Sequence, residues 1–98
     1  MYARVVSWEG AEADAMRRSA DEIRSQADQG PPEGVPAKGF TLLIDPDGGR
    51  SLAVTLFETE EDYRKGDEVL SEMSPPNDAF GRRTSVDRYE VTLDVRAD

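Results

Sequence analysis

The chain has 98 residues with no cysteine and no histidine, and a formal charge of −9 from twenty-one acidic against twelve basic side chains. Disulfides, thiolate metal sites and a cysteine nucleophile are excluded, and the commonest general base, zinc or haem ligand and neutral-pH switch are missing. The acidity argues against nucleic acid and anionic membrane as partners, since both need a cationic footprint; its simplest role is solubility.

Residues 2–8 read as a first strand, with Tyr2, Arg4, Val6 and Trp8 on one face and Ala3, Val5 and Ser7 on the other. Over residues 11–29, Ala13, Met16, Ala20, Ile23 and Ala27 recur at helical spacing among charged residues. The stripe is alanine-rich, so it buries little area and depends on docking. Gly30, Pro31, Pro32 and Pro36 end the helix. Residues 40–45 and 50–58 are apolar, β-branched-rich runs joined by Pro46-Asp47-Gly48-Gly49, which predicts a hairpin. Thr59 is placed to cap a second helix, with Glu60, Glu61 and Asp62 against the positive end of its dipole. Its expected buried stripe is Tyr63, Gly66, Val69, Leu70 and Met73; a glycine inside a helix points to close backbone approach or simple weakness. Residues 74–83 read as a loop. Residues 85–96 read as a last, half-buried strand, with Tyr89, Val91, Leu93 and Val95 on one side and Arg88, Glu90, Thr92 and Asp94 on the other.

The order β-α-β-β-α-β predicts an α+β, ferredoxin-like sandwich: one domain over residues 1–98, a four-stranded antiparallel sheet with two helices on one face. A chain this short buries only about 60–68% of its unfolded surface and gains from association. The hairpin is apolar on both sides, with Phe40, Leu42 and Ile44 against Leu43, and Leu52, Val54 and Leu56 against Ala53 and Phe57. Helices cover one face only, so the other is an expected interface, most economically a two-fold homodimer with the sheets face to face. Nothing at the N-terminus reads as a signal peptide, and no apolar run approaches the ~20 residues of a membrane span. A cytoplasmic location follows by default.

Three segments carry a resemblance: residues 2–10 (YARVVSWEG), 56–63 (LFETEEDY) and 86–91 (VDRYEV). In length, element order and these segments the chain resembles the dimeric α/β-barrel superfamily, in its antibiotic-biosynthesis-monooxygenase-like (ABM-like) branch. There an aromatic residue, Glu, Ser or Thr, and a further Glu lead from the third strand into the second helix; here they are Phe57-Glu58-Thr59-Glu60-Glu61. The resemblance implies the dimeric barrel and a pocket between sheet and helices. That group includes cofactor-free oxygenases of aromatic substrates and haem degraders that hold iron through a histidine on the second helix. This chain has no such histidine, so haem degradation does not carry over and no cofactor is implied.

The ligand-pocket candidates are Trp8, Tyr63 and Phe80, with Arg4 or Arg88 to meet a carboxylate or phenolate; the commoner role of such aromatics is to fill core volume and close loops. Arg4, Arg88 and Glu90 are expected on the partner-facing side, pairing across strands in the dimer interface. Asp45, Asp47 and the following glycines lack the later ligands of a calcium loop and read as a turn, so no metal site is expected. Arg82-Arg83-Thr84-Ser85 resembles a basic-directed kinase site but reads as a solvated patch. Three functions remain open: a homodimer binding a small apolar or aromatic molecule, a cofactor-independent monooxygenase-like enzyme on a small aromatic substrate, and a protein-interaction subunit using the open sheet face.

Overall fold

In the computed structural model, residues 1–26, 34–72 and 80–95 are described. The elements run β1 (Tyr2–Glu9), α1 (Ala13–Gln26), β2 (Gly39–Asp45), β3 (Arg50–Phe57), α2 (Glu60–Glu72) and β4 (Arg82–Glu90). All pairings are antiparallel and the strands lie in the order β2-β3-β1-β4, the ferredoxin-like arrangement expected from the sequence.

Register fixes what each face carries. Across β1 and β3, Tyr2 lies opposite Phe57, Arg4 opposite Thr55, Val6 opposite Ala53 and Trp8 opposite Ser51. Paired residues point to the same side of a sheet. Arg4 bonds to Asp67 of α2, so this is the helix-covered face. The other face carries Ala3, Val5 and Ser7 from β1, opposite Leu56, Val54 and Leu52 of β3, with Thr41 and Leu43 of β2 alongside.

The two helices are held differently. Thr59 Oγ1 accepts the Asp62 backbone N–H at 3.1 Å, which caps α2 as its sequence predicts. Under α2 lies a core of Val35, Phe57 and Tyr63, backed by Tyr2, Ala37, Val69 and Leu70. Gly66 is there because of Phe57. A Cβ at position 66 would stand 2.3 Å from the Phe57 ring, so only glycine lets the ring lie flat against the helix backbone. α1 has a thinner anchor. Met16 is fully buried, Ala13 and Ala20 are half-buried, and Ile23 stays exposed. α1 approaches β2 while α2 approaches β1 and β3, and no Cα of α1 comes within 8 Å of α2.

The hairpin turn is tied at both ends. Asp45 accepts the Gly48 N–H at 3.2 Å and Arg50 Nε at 2.8 Å. Gly49 takes a positive φ of 67° and its carbonyl accepts the Ala11 N–H at 3.1 Å, docking the turn on the β1–α1 connection.

Three boundaries differ from the sequence expectation. α1 is described as helix only to Gln26, so Ala27 and the prolines at 31 and 32 lie outside the described residues, as does Met73. β4 begins at Arg82 rather than Ser85, and Arg82, Arg83, Thr84 and Ser85 are strand residues beside the end of β1. β4 also stops at Glu90 instead of Arg96. The Val91 N–H donates to the Met1 carbonyl. Leu93 and Val95 keep the alternation of a strand but pair with no strand among the described residues, and both are exposed.

Candidate ligand site

The helix-covered face of β1 is polar at one end and aromatic at the other. At the polar end Arg4 is buried. Its Nε donates to Asp67 Oδ1 at 2.8 Å and its Nη2 to Ser71 Oγ at 3.3 Å. The partners are unequal: the Arg4 side chain is 5% exposed and that of Asp67 is 41%. The pair therefore spans the boundary between interior and solvent, where water keeps part of its grip on the carboxylate.

Tyr63 stands beside this pair, edge-on to Phe57 at 5.5 Å between ring centroids. Burial pushes its hydroxyl above the ordinary 10.0, and the negative charge of Asp67 adds to the push; Arg4 and Arg88 pull the other way. The phenol thus stays a neutral hydrogen-bond donor across the physiological range. The Arg88 guanidinium lies 5.8 Å from the centroids of both Tyr2 and Tyr63, and its Nη1 donates to Glu60 Oε1 of α2 at 3.3 Å.

These contacts correct the expected dimer-face residues. Arg4 and Arg88 lie opposite one another, Glu90 lies opposite Tyr2, and all three share the helix side of the sheet. Alternation tells which residues share a face but not which face meets the helices. Arg4 and Arg88 do pack across neighbouring strands, but their carboxylate partners come from α2.

At the aromatic end, Trp8 and Phe80 lie 6.0 Å apart, tilted by 42°. The four pocket candidates therefore form two pairs, Arg4 with Tyr63 and Trp8 with Phe80. Four residues of strand, roughly 13 Å, separate them. Between them the inner face is lined by Val6 and Ala53, both buried. Beside Trp8 the register row runs Ile44, Ser51, Trp8 across β2, β3 and β1. In that row the Trp8 indole nitrogen and the Ser51 hydroxyl are buried without a hydrogen-bond partner among the described residues. A cleft of about 500 Å³ at these strand ends is lined mainly from the other side of the sheet, by Ser7, Glu9, Leu43, Asp45, Arg50 and Leu52. Ser51 was not legible as a site residue. Its only signal is the run Ser51, Ala53, Thr55, small or polar at alternate positions where a core face would carry large apolar groups.

No family profile and no curated protein matches the sequence. Solved structures do. The haem degrader MhuD of Mycobacterium tuberculosis, with two haems bound in its active site, is 20% identical with a TM-score of 0.63, over 98% of this chain and all of that one. A MhuD mutant with two manganese protoporphyrin IX molecules bound per active site is 22% identical with a TM-score of 0.61, over 99% of this chain and all of the other. The chain shares the ferredoxin-like fold of these proteins, the fold class expected from the sequence.

The residues present do not fit haem held through a histidine of α2. The chain has no histidine or cysteine to take the iron. On the inner face of α2, the space a side chain would need at position 66 is filled by the Phe57 ring, itself closed off by Tyr63. Among the described residues no group of three or more Asp or Glu side chains is disposed to hold a metal ion, and no helix is long and apolar enough to cross a membrane.

Proposed function

We propose that the protein is a homodimer, joined sheet to sheet, that takes a small apolar or aromatic molecule on the helix side of β1 and β3. One observation carries this reading: the sheet face turned from the helices leaves large apolar side chains in water, while the covered face buries polar ones beside its apolar core. The covered face buries Arg4, Ser51 and Thr55, while the open face leaves Leu43, Leu52 and Tyr89 at 50%, 37% and 57% exposure. An apolar sheet face in water calls for a cover, and a second copy supplies a self-complementary one. Leu93 and Val95, beyond the end of β4, add to the surface such a partner would bury.

Polar groups under the helices stabilise a fold less than apolar ones would, so their presence there favours a role in holding something. Similar folds hold flat macrocycles, in line with a flat ligand here. Tyr63 is the polar handle of such a site, its hydroxyl held protonated by burial.

Two measurements test the reading together. Sedimentation velocity at micromolar concentration should give about twice the mass of one chain. Native mass spectrometry of freshly purified protein should show the dimer with a small organic molecule retained. A well-behaved monomer would overturn the assembly. A dimer whose Tyr63→Phe and Trp8→Ala forms retain the molecule as the parent does would overturn the site.

A further inference from the structure

We propose that the peptide bond between Asp47 and Gly48, at the tip of the β2–β3 hairpin, is a site of spontaneous isoaspartate formation, and that the Asp45 carboxylate restrains it by holding the attacking nitrogen. The chain has one Asp-Gly pair and no Asn-Gly pair, and glycine carries no side chain to hinder attack on the residue before it. The strand pairing ends at Asp45 and Arg50, so Asp47 and Gly48 lie outside the ladder, and both are exposed to water. In the reaction the Gly48 nitrogen attacks Asp47 Cγ. Its proton and the carboxyl hydroxyl leave together as one water, which closes a five-membered succinimide. Water then adds back: opening at Cγ restores aspartate, and opening at the main-chain carbonyl sends the backbone through the side chain. Mass and oxidation state return to those of the parent, and water is the only co-reactant.

The restraint sits in the same turn. The Gly48 N–H donates to Asp45 Oδ1 at 3.2 Å, and Arg50 Nε donates to Asp45 Oδ2 at 2.8 Å, so the carboxylate is anchored from its far side. It lies close enough over Gly48 that a Cβ there would stand 2.5 Å from Oδ2. Attack needs the nitrogen to shed its proton and turn toward Asp47. A carboxylate bound to that N–H opposes both, because it fixes the direction of the bond and sets negative charge beside the anion that must form. Arg50 keeps Asp45 in the charged form by hydrogen-bonding it, which holds the carboxyl below its ordinary 3.8. Isomerisation would be felt by the fold, since it adds a backbone carbon between Pro46 and Gly49. Those two close the turn through the Gly49 N–H and the Pro46 carbonyl at 3.3 Å, and the Gly49 carbonyl docks on Ala11.

The test ages three full-length chains and a synthetic peptide of residues 43–52 side by side for several weeks in warm, neutral buffer. The chains are the parent, Asp45→Ala and Asp45→Asn, which keeps an acceptor without the charge. Isoaspartate is counted with a methyltransferase that labels only the isoaspartyl carboxyl, and peptide mapping locates it. The free peptide should convert fastest and the parent slowest. Asp45→Ala should convert about threefold or more faster than the parent, with Asp45→Asn between them. Hydrogen exchange keeps a local effect apart from a general one: Asp45→Ala should speed exchange at Gly48 and leave the paired amides of β2 and β3 at the parent rate. No isoaspartate at residue 47 of Asp45→Ala, over the time in which the peptide converts, overturns the site. A parent as fast as the peptide, or an Asp45→Ala chain no faster than the parent, overturns the restraint. Faster conversion accompanied by faster exchange along both strands also overturns it, because the hairpin as a whole would then be what protects the bond.

Discussion

β3 shows the two sides of the sheet within one strand. Ser51, Ala53, Thr55 and Phe57 are buried beneath the helices, whereas Leu52, Val54 and Leu56, the greasier set, point away from them. Hydrophobic burial favours the opposite arrangement in a lone chain. The difference teaches that this strand spends small and polar side chains beside Phe57 on the covered side and keeps its leucines on the uncovered one, which is what the proposed pairing of two copies would bury.

The largest effect should come from a charge on the uncovered side. In a two-fold interface Leu52→Asp appears twice, each time burying a carboxylate without a partner. The expected loss is about 3 kcal/mol or more of association energy, at least a hundredfold in the dimer dissociation constant. Sedimentation should then find a folded monomer at concentrations where the parent is paired. A Leu52→Asp chain that stays dimeric would show that the sheets do not meet there.

Breaking the ion pair on the covered side should come next. Asp67→Ala leaves the buried Arg4 with only Ser71, and because Asp67 is partly in water the cost is expected at about 2 kcal/mol in urea unfolding rather than the 3–5 of a fully buried pair. Arg4→Met removes the need for a partner as well as the charge and should cost less, about 1 kcal/mol. A reversal of that order would mean that Arg4 is held by packing rather than by Asp67.

Gly66→Ala probes the tightest contact beneath α2. The new methyl meets Phe57, an overpacking cost of about 1–3 kcal/mol, and the gain in helix propensity returns about 1. A net loss near 1 kcal/mol is expected in thermal unfolding. With Phe57→Leu in the background the same substitution should become stabilising, which isolates the pair.

Much of this architecture is written in local patterns. The alternation of β1, the hairpin, the Thr59 cap and the lean stripes of both helices follow from periodicity and turn chemistry, and they fix the element order and hence the layers. Gly66 could be flagged as a close approach, though not that Phe57 is what approaches, because helical spacing says nothing of the facing strand. The side on which Arg4, Arg88 and Glu90 lie was not readable, since both faces of the hairpin are apolar enough to pass for the covered one. The end of β4 was hidden for a related reason. Residues 91–95 have the pattern of a strand, but a strand needs a neighbour, and alternation alone does not say where pairing stops. The row of Ile44, Ser51 and Trp8 was the least legible, because a serine and a tryptophan far apart in sequence signal nothing until register makes them partners.

The smallest effect, confined to alkaline solution, separates the covered face from the open one without altering its packing. Tyr63 has its folded pKa raised above 10.0, chiefly by burial, so the folded state holds the phenolic proton more tightly than the unfolded chain does. The stability this group contributes is therefore complete below pH 10 and is lost as pH climbs from 10 through the folded value. Urea unfolding across that window should show a decline that is shallower in Tyr63→Phe, which has no proton to lose. The two arginines pull the hydroxyl downward, so Arg4→Met should raise the pH at which Tyr63 ionises by ultraviolet absorbance, and Asp67→Ala should lower it. If both substitutions move it the same way, Tyr63 is responding to a loosened fold instead of to charge. If neither moves it, the hydroxyl does not sense the ion pair, and the polar end of the covered face is not the single electrostatic unit that its geometry describes.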